Sequence, residues 1–94
     1  MISLRIEHAV LNYDAWKQAF DSDPVGRKQS GVRRYVIARS VDDPNLVVID
    51  LEFDTPSQAQ GLLTAMRGVW GRVEGSLIQS PRAQIVEVVE THDL

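Results

Sequence analysis

Residues 32–58 read VRRYVIARSVDDPNLVVIDLEFDTPSQ, and this one segment commits the chain to a hairpin followed at once by a helix. Val32 to Val41 alternates, with Tyr35 and Ile37 on one face and Val32, Val36 and Ala38 on the other, which is the period of a strand. Asp42-Asp43-Pro44-Asn45 is a turn signal, because Pro pre-sets φ and Asp accepts backbone hydrogen bonds. Leu46 to Phe53 is the next strand. Its Val47, Ile49, Leu51 and Phe53 make a wholly apolar face, opposed by Leu46, Val48, Asp50 and Glu52. So short a connection makes the two strands antiparallel neighbours. Thr55-Pro56-Ser57-Gln58 then starts a helix. Thr55 suits the N-cap, Pro56 the first helical position, and Gln58 the closing side of a capping box.

Towards the N-terminus, Ile2 to Val10 alternates, with Ile2, Leu4, Ile6, His8 and Val10 on one face and Ser3, Arg5, Glu7 and Ala9 on the other. Asn12 fits an N-cap, and Tyr13, Trp16 and Phe20 follow at i, i+3 and i+7 as one helical stripe that Asp23-Pro24 ends. Gly26 to Gly31 is a polar loop. Towards the C-terminus, Leu62, Met66, Val69 and Val73 form the stripe of the second helix, with Trp70 on its flank. Gly75-Ser76 and Ser80-Pro81 break the pattern, Ala83 to Val89 reads as the last strand, and Thr91 to Leu94 as a tail. The order is strand, helix, strand, strand, helix, strand in one domain, residues 1–94. Right-handed crossovers place the strands as 4-1-3-2, a ferredoxin-like α+β sandwich with an antiparallel sheet.

Ninety-four residues with 44% hydrophobic content supply one core. The absence of Cys excludes disulfides, thiolate metal sites and a Cys nucleophile. The net charge of −3 speaks against a nucleic-acid surface; Arg27, Lys28, Arg33 and Arg34 form the only local basic cluster and read as a solvated loop and strand edge. The first ten residues carry Arg5 and Glu7 and form no signal peptide, and no apolar run approaches the ~18–20 residues of a membrane span. A cytoplasmic protein is expected.

Both helices of this topology lie on one side of the sheet. Several strands are apolar on both faces, so the remaining face is expected to be substantially apolar, and the simplest cover is a second copy of the chain. The sequence thus predicts a homodimer packed sheet to sheet.

The segment His8-Ala-Val-Leu-Asn-Tyr-Asp-Ala-Trp-Lys-Gln-Ala-Phe-Asp21, together with Gly31-Val-Arg-Arg-Tyr35, Asp42-Asp-Pro-Asn45 and Pro81 before the last strand, resembles dimeric α/β-barrel proteins related to the antibiotic biosynthesis monooxygenases. The resemblance spans nearly the whole chain. It implies two ferredoxin-like protomers, each with a cavity between sheet and helices, and activities such as cofactor-independent oxygenation of aromatic polyketides, polyketide cyclisation or haem degradation. Trp70 matches the Trp that monooxygenase members carry on the second helix. Their strand Asn has no counterpart, since Asn12 and Asn45 both fall in turns, and the late His of the haem-degrading members is met only by His92 in the tail.

Four residues are candidates for binding a small apolar or aromatic ligand: His8, Tyr35, Met66 and Trp70. His8 is the one imidazole inside a strand, on an otherwise apolar face, where it could bind a ligand or move a proton near neutral pH; the plainer reading, and the preferred one, is a half-exposed strand-end His bonded to a carbonyl. Met66 and Trp70 suit a pocket that stacks on a planar ligand, or plain core packing. Gly68, Gly71 and Gly75 share a face that permits close approach, or mark an early end of the helix near Gly71. Arg5, Glu7, Asp50 and Glu52 lie on neighbouring strands, either in the cavity or on a solvated surface. His8 and His92 fall near opposite ends of the sheet, roughly 20 Å apart at ~3.4 Å per residue, so no metal site is expected, and no cofactor motif is present. The catalytic residues stay unassigned. A ligand-binding, oxygenase- or cyclase-like enzyme and a non-catalytic dimerisation or stress-response module both fit.

Overall fold

The computed structural model describes all 94 residues, Met1–Leu94. The elements are β1 (Ile2–Val10), α1 (Tyr13–Asp21), β2 (Arg34–Arg39), β3 (Leu46–Phe53), α2 (Pro56–Val73) and β4 (Ile78–Glu87). The sheet order is β2-β3-β1-β4 with every pair antiparallel, which is the predicted 4-1-3-2 order read from the opposite edge. The fold is the expected ferredoxin-like α+β sandwich.

Local chemistry sets both helix starts. The Asn12 side chain accepts from the Ala15 backbone N–H at 2.9 Å. In α2, Thr55 Oγ1 accepts from Gln58 N–H and Gln58 Oε1 accepts from Thr55 N–H, each at 3.2 Å, so the capping box is closed in both directions. Gly31 packs against this cap. Its φ is +99°, and a Cβ there would lie 2.8 Å from Gln58 Nε2, so both the backbone angle and the space call for glycine. The loop entering β2 is thereby seated on the start of α2.

The register decides which faces the helices cover. Leu4 pairs with Leu51 and Ile6 with Ile49 across β1–β3, and Tyr35 and Ile37 continue the same rows onto β2. These side chains point to the helices. The buried stripe of α2 is Ala59, Leu62, Leu63, Met66 and Trp70, so Trp70 lies within the stripe rather than on its flank, while Val69 and Val73 are half-buried. α2 runs to Val73, past Gly71.

Two strand boundaries differ from the sequence reading. β2 is shorter than residues 32–41, although Arg33 N–H still donates to the Glu52 carbonyl and Ser40 N–H to that of Leu46. β4 begins at Ile78, not Ala83, and ends at Glu87, not Val89. It passes straight through Ser80-Pro81. Glu7 pairs with Arg82 and Ala9 with Gln79, so His8 alone faces the two residues Ser80 and Pro81, a β-bulge. Ser80 adopts the left-handed φ of 54°. A proline is tolerated here because β4 is an edge strand and the bulge asks for no ladder N–H.

The uncovered face corrects a second expectation. It is mixed, not substantially apolar. Arg5–Asp50 at 3.2 Å, Arg34–Glu52 at 2.9 Å and Glu7–Arg82 at 2.9 Å cross its centre, beside Val36, Ala38, Leu46 and Val48. The register places opposite charges on adjoining strands, so they neutralise one another in pairs. Arg5, Glu7, Asp50 and Glu52 therefore belong to this face, where Arg5 and Glu7 line a shallow depression, and not to the space under the helices. No helix is long and apolar enough to cross a membrane.

Candidate functional site: a cavity between the helices and the sheet

A cavity of about 70 Å³ lies where α1, α2 and the sheet meet. Its floor is buried: Ile6 and His8 of β1, Ile49 of β3, Trp16 and Phe20 of α1, and Met66 and Trp70 of α2. Its rim consists of less buried residues, among them Arg27, Val69, Val73 and Leu77. Both tryptophans of the chain line it. Of the fifteen lining residues only His8 and Arg27 carry a group that is a base or a cation.

His8 is 2% exposed. The even-numbered phase of β1 aims its ring under the helices, where the ring stands edge-on to Trp16 with centroids 5.5 Å apart. Nδ1 lies 3.3 Å from the Ala9 carbonyl. With Nδ1–H donating there, Nε2 keeps its lone pair, and the chain offers it no hydrogen-bond partner. Burial pushes the pKa of His8 below its ordinary 6.5, against the smaller opposing pull of the Ala9 and His8 carbonyls. The ring is thus a neutral base at neutral pH in an apolar recess.

The lowered pKa makes folding stability depend on pH. The unfolded chain takes up a proton near pH 6.5, whereas folded His8 resists it until the pH is lower. Over that window the unfolded state binds more protons, so the contribution of His8 is complete above about pH 6.5 and declines on acidification. Asp54, held below the usual carboxylate range by its bond to Arg33, titrates further down. Thermal unfolding followed between about pH 8 and 5 is expected to show a falling midpoint, and His8→Asn to flatten that slope.

His8, Met66 and Trp70 come together around the cavity. Tyr35 does not join them. It is 42% exposed and lies beyond Phe20, ring centroids 5.2 Å apart, where it lines a separate shallow depression with Arg27, Lys28, Arg33 and Arg34. Sequence reasoning passed over Trp16 and Phe20, read as core stripe, and Arg27, read as a solvated loop. The signal for the first two was their i, i+4 spacing on the face that also meets His8. Arg27 had none, since its burial depends on how the loop turns. No group of three or more metal-ligating side chains gathers in the structure.

No protein-family model and no curated protein matches the sequence. Solved structures do match in three dimensions. The cofactor-independent oxygenase SnoaB from Streptomyces nogalater superposes with a TM-score of 0.75 over 96% of this chain and 94% of its own, at 12% identity. An antibiotic biosynthesis monooxygenase gives 0.70 over 96% and 100%, at 10% identity. Protein NE2512 of Nitrosomonas europaea, of unknown function, gives 0.74 over 99% and 93%, at 15% identity. What these proteins share with the chain is architecture over nearly its whole length: it has the same ferredoxin-like α+β fold.

Proposed function

We propose that the chain forms a homodimer that binds a small apolar or aromatic molecule in this cavity, and that His8 acts there as the proton acceptor of a cofactor-independent, monooxygenase-like reaction. The observation that carries the reading is a buried imidazole in an otherwise apolar recess lined by Trp16 and Trp70, with Nδ1 turned to the Ala9 carbonyl and no hydrogen-bond partner in the chain for Nε2. Such a base can take a proton from an acidic C–H or O–H of a bound molecule. Where the reacting carbon carries two hydrogens, the electron-rich anion so formed can react with O₂ itself: one oxygen stays on that carbon as a carbonyl and the other leaves as water with both hydrogens. The shared fold with a cofactor-independent oxygenase supports this reading.

Two features support the dimer. The protomer is a slab of 36 × 32 × 19 Å with one broad side of bare sheet. It exposes 6068 Å², where a compact monomer of this mass exposes roughly 5,400 Å². Val36, Ala38, Leu46 and Val48 offer apolar contact on that side.

The size of the cavity favours a second reading. About 70 Å³ is well below the ~150 Å³ of an engineered cavity that takes benzene. A non-catalytic dimerisation module would keep this space nearly filled. An aromatic ring enters only if Met66, an unbranched and adaptable side chain, changes rotamer.

Because both tryptophans line the cavity, intrinsic fluorescence reports its occupancy directly. Titration with single-ring aromatics is expected to shift the emission saturably, with His8→Asn retaining binding but losing O₂ consumption. Light scattering is expected to give twice the 10.5 kDa chain mass at micromolar concentration. Unchanged emission and no thermal shift across a ligand panel would leave the dimerisation module standing instead.

A further inference from the structure

We propose that the occupant of the cavity is an apolar carboxylic acid, its hydrocarbon body between the tryptophans and its carboxylate held by Arg27 at the rim. This rests on the ligand-binding reading above and narrows it to a chemical class.

Arg27 is an unusual surface arginine. Its side chain is only 12% exposed. Nη1 donates to the Phe20 carbonyl at 2.7 Å and stands 3.5 Å from Asp23 Oδ1, an oxygen that already accepts the Arg27 backbone N–H at 2.9 Å. The guanidinium lies over the Phe20 ring, 3.9 Å from its centroid, with the Tyr35 centroid 5.1 Å away. The group is therefore fixed in place before any ligand arrives. Its Nε and Nη2 have no acceptor in the chain, and neither is sealed from solvent, since the only fully enclosed side-chain polar atom without a hydrogen bond is Asp50 Oδ1, which has the Arg5 ion pair instead. Nε–H and Nη2–H form the edge that grips a carboxylate with two parallel bonds.

The surroundings favour an anion. No acidic side chain lines the cavity, and His8 is neutral, so Arg27 is its one formal charge. On its outer side Arg27 borders the separate shallow depression, whose Arg33 and Arg34 are already paired with Asp54 and Glu52. The apolar floor rejects ligands whose charge extends beyond one end.

Matched acid and amide probes test this: 3-methylbutanoate against 3-methylbutanamide, and phenylacetate against phenylacetamide, with tryptophan emission and calorimetry as readouts. The acid of a pair is expected to bind about tenfold or more tightly than its amide. Arg27→Met is expected to abolish that preference, weakening the acid about tenfold more than the amide. If Arg27→Met does not fold, Arg27→Lys carries the test: it keeps the charge but loses the two-pronged edge, so the preference should drop several-fold. Lys28→Met, exposed and one residue along, should leave it intact. Equal binding of acid and amide, a preference that survives both Arg27 variants, or an equal loss in Lys28→Met would each overturn the proposal while leaving ligand binding itself in place. Binding of neither acid nor amide from either pair would remove both together.

Discussion

Phe53→Ala is expected to cost about 3–5 kcal/mol of folding stability, the usual penalty for emptying a fully buried phenylalanine site. Phe53 is 0% exposed and is the largest of the fully buried side chains. It ends the apolar face of β3 opposite Ile2 of β1, so neighbours on two strands lose contact at once. A domain of this length holds roughly 5–14 kcal/mol in total, so the variant gives up a large share of it. The melting midpoint should fall by at least about 12 °C, readable by circular dichroism. Phe53 is not among the cavity-lining residues, so the loss reports packing and not the site. Val41→Ala, at a fully exposed position, should move the stability by less than about 0.5 kcal/mol. A Phe53→Ala midpoint within about 5 °C of the parent would contradict the core described above.

The opposite sign is expected along α2. Gly61, Gly68 and Gly71 all lie inside the helix, and a Cβ built on any of them meets nothing within 4 Å. Alanine there brings helix propensity and a less free unfolded chain at no steric cost, about 1 kcal/mol per site. The triple variant should gain about 2–3 kcal/mol and melt roughly 10–20 °C higher. Gly75 is left alone because its φ is +88°. The measurement also decides between two views of the smooth face of α2. A gain in a protein of unchanged oligomeric state means the face is open in solution. A loss means that a neighbouring chain comes close to it.

Most of the fold was legible because short-range chemistry wrote it. Asn12, Thr55 and Gln58 are capping residues in capping positions, and the alternation of Val47 to Phe53 leaves one possible inner face. Ser80-Pro81 misled because a proline and a turn-forming residue normally stop a strand, yet at a sheet edge they make a bulge inside one. The cavity was legible in part. His8, Met66 and Trp70 follow from strand phase and helix stripe. The separation of Tyr35 from them is a matter of where Phe20 stands, and the burial of Arg27 depends on left-handed turns at Asp23 and Gly26, neither of which periodicity encodes. The mixed character of the open face was hidden for a related reason: apolar residues were countable one strand at a time, whereas the pairing of charges needs the register.

The bulge of β4 also bears on what the sheet does not do. An edge strand is a template on which foreign strands can grow into fibrils. Here one edge carries a proline and a left-handed serine in mid-strand, which interrupt the row of donors a newcomer would need. The other edge, β2, is six residues long and has an arginine at each end. Neither border invites extension, so a chain with this much β structure is protected against runaway edge-to-edge polymerisation.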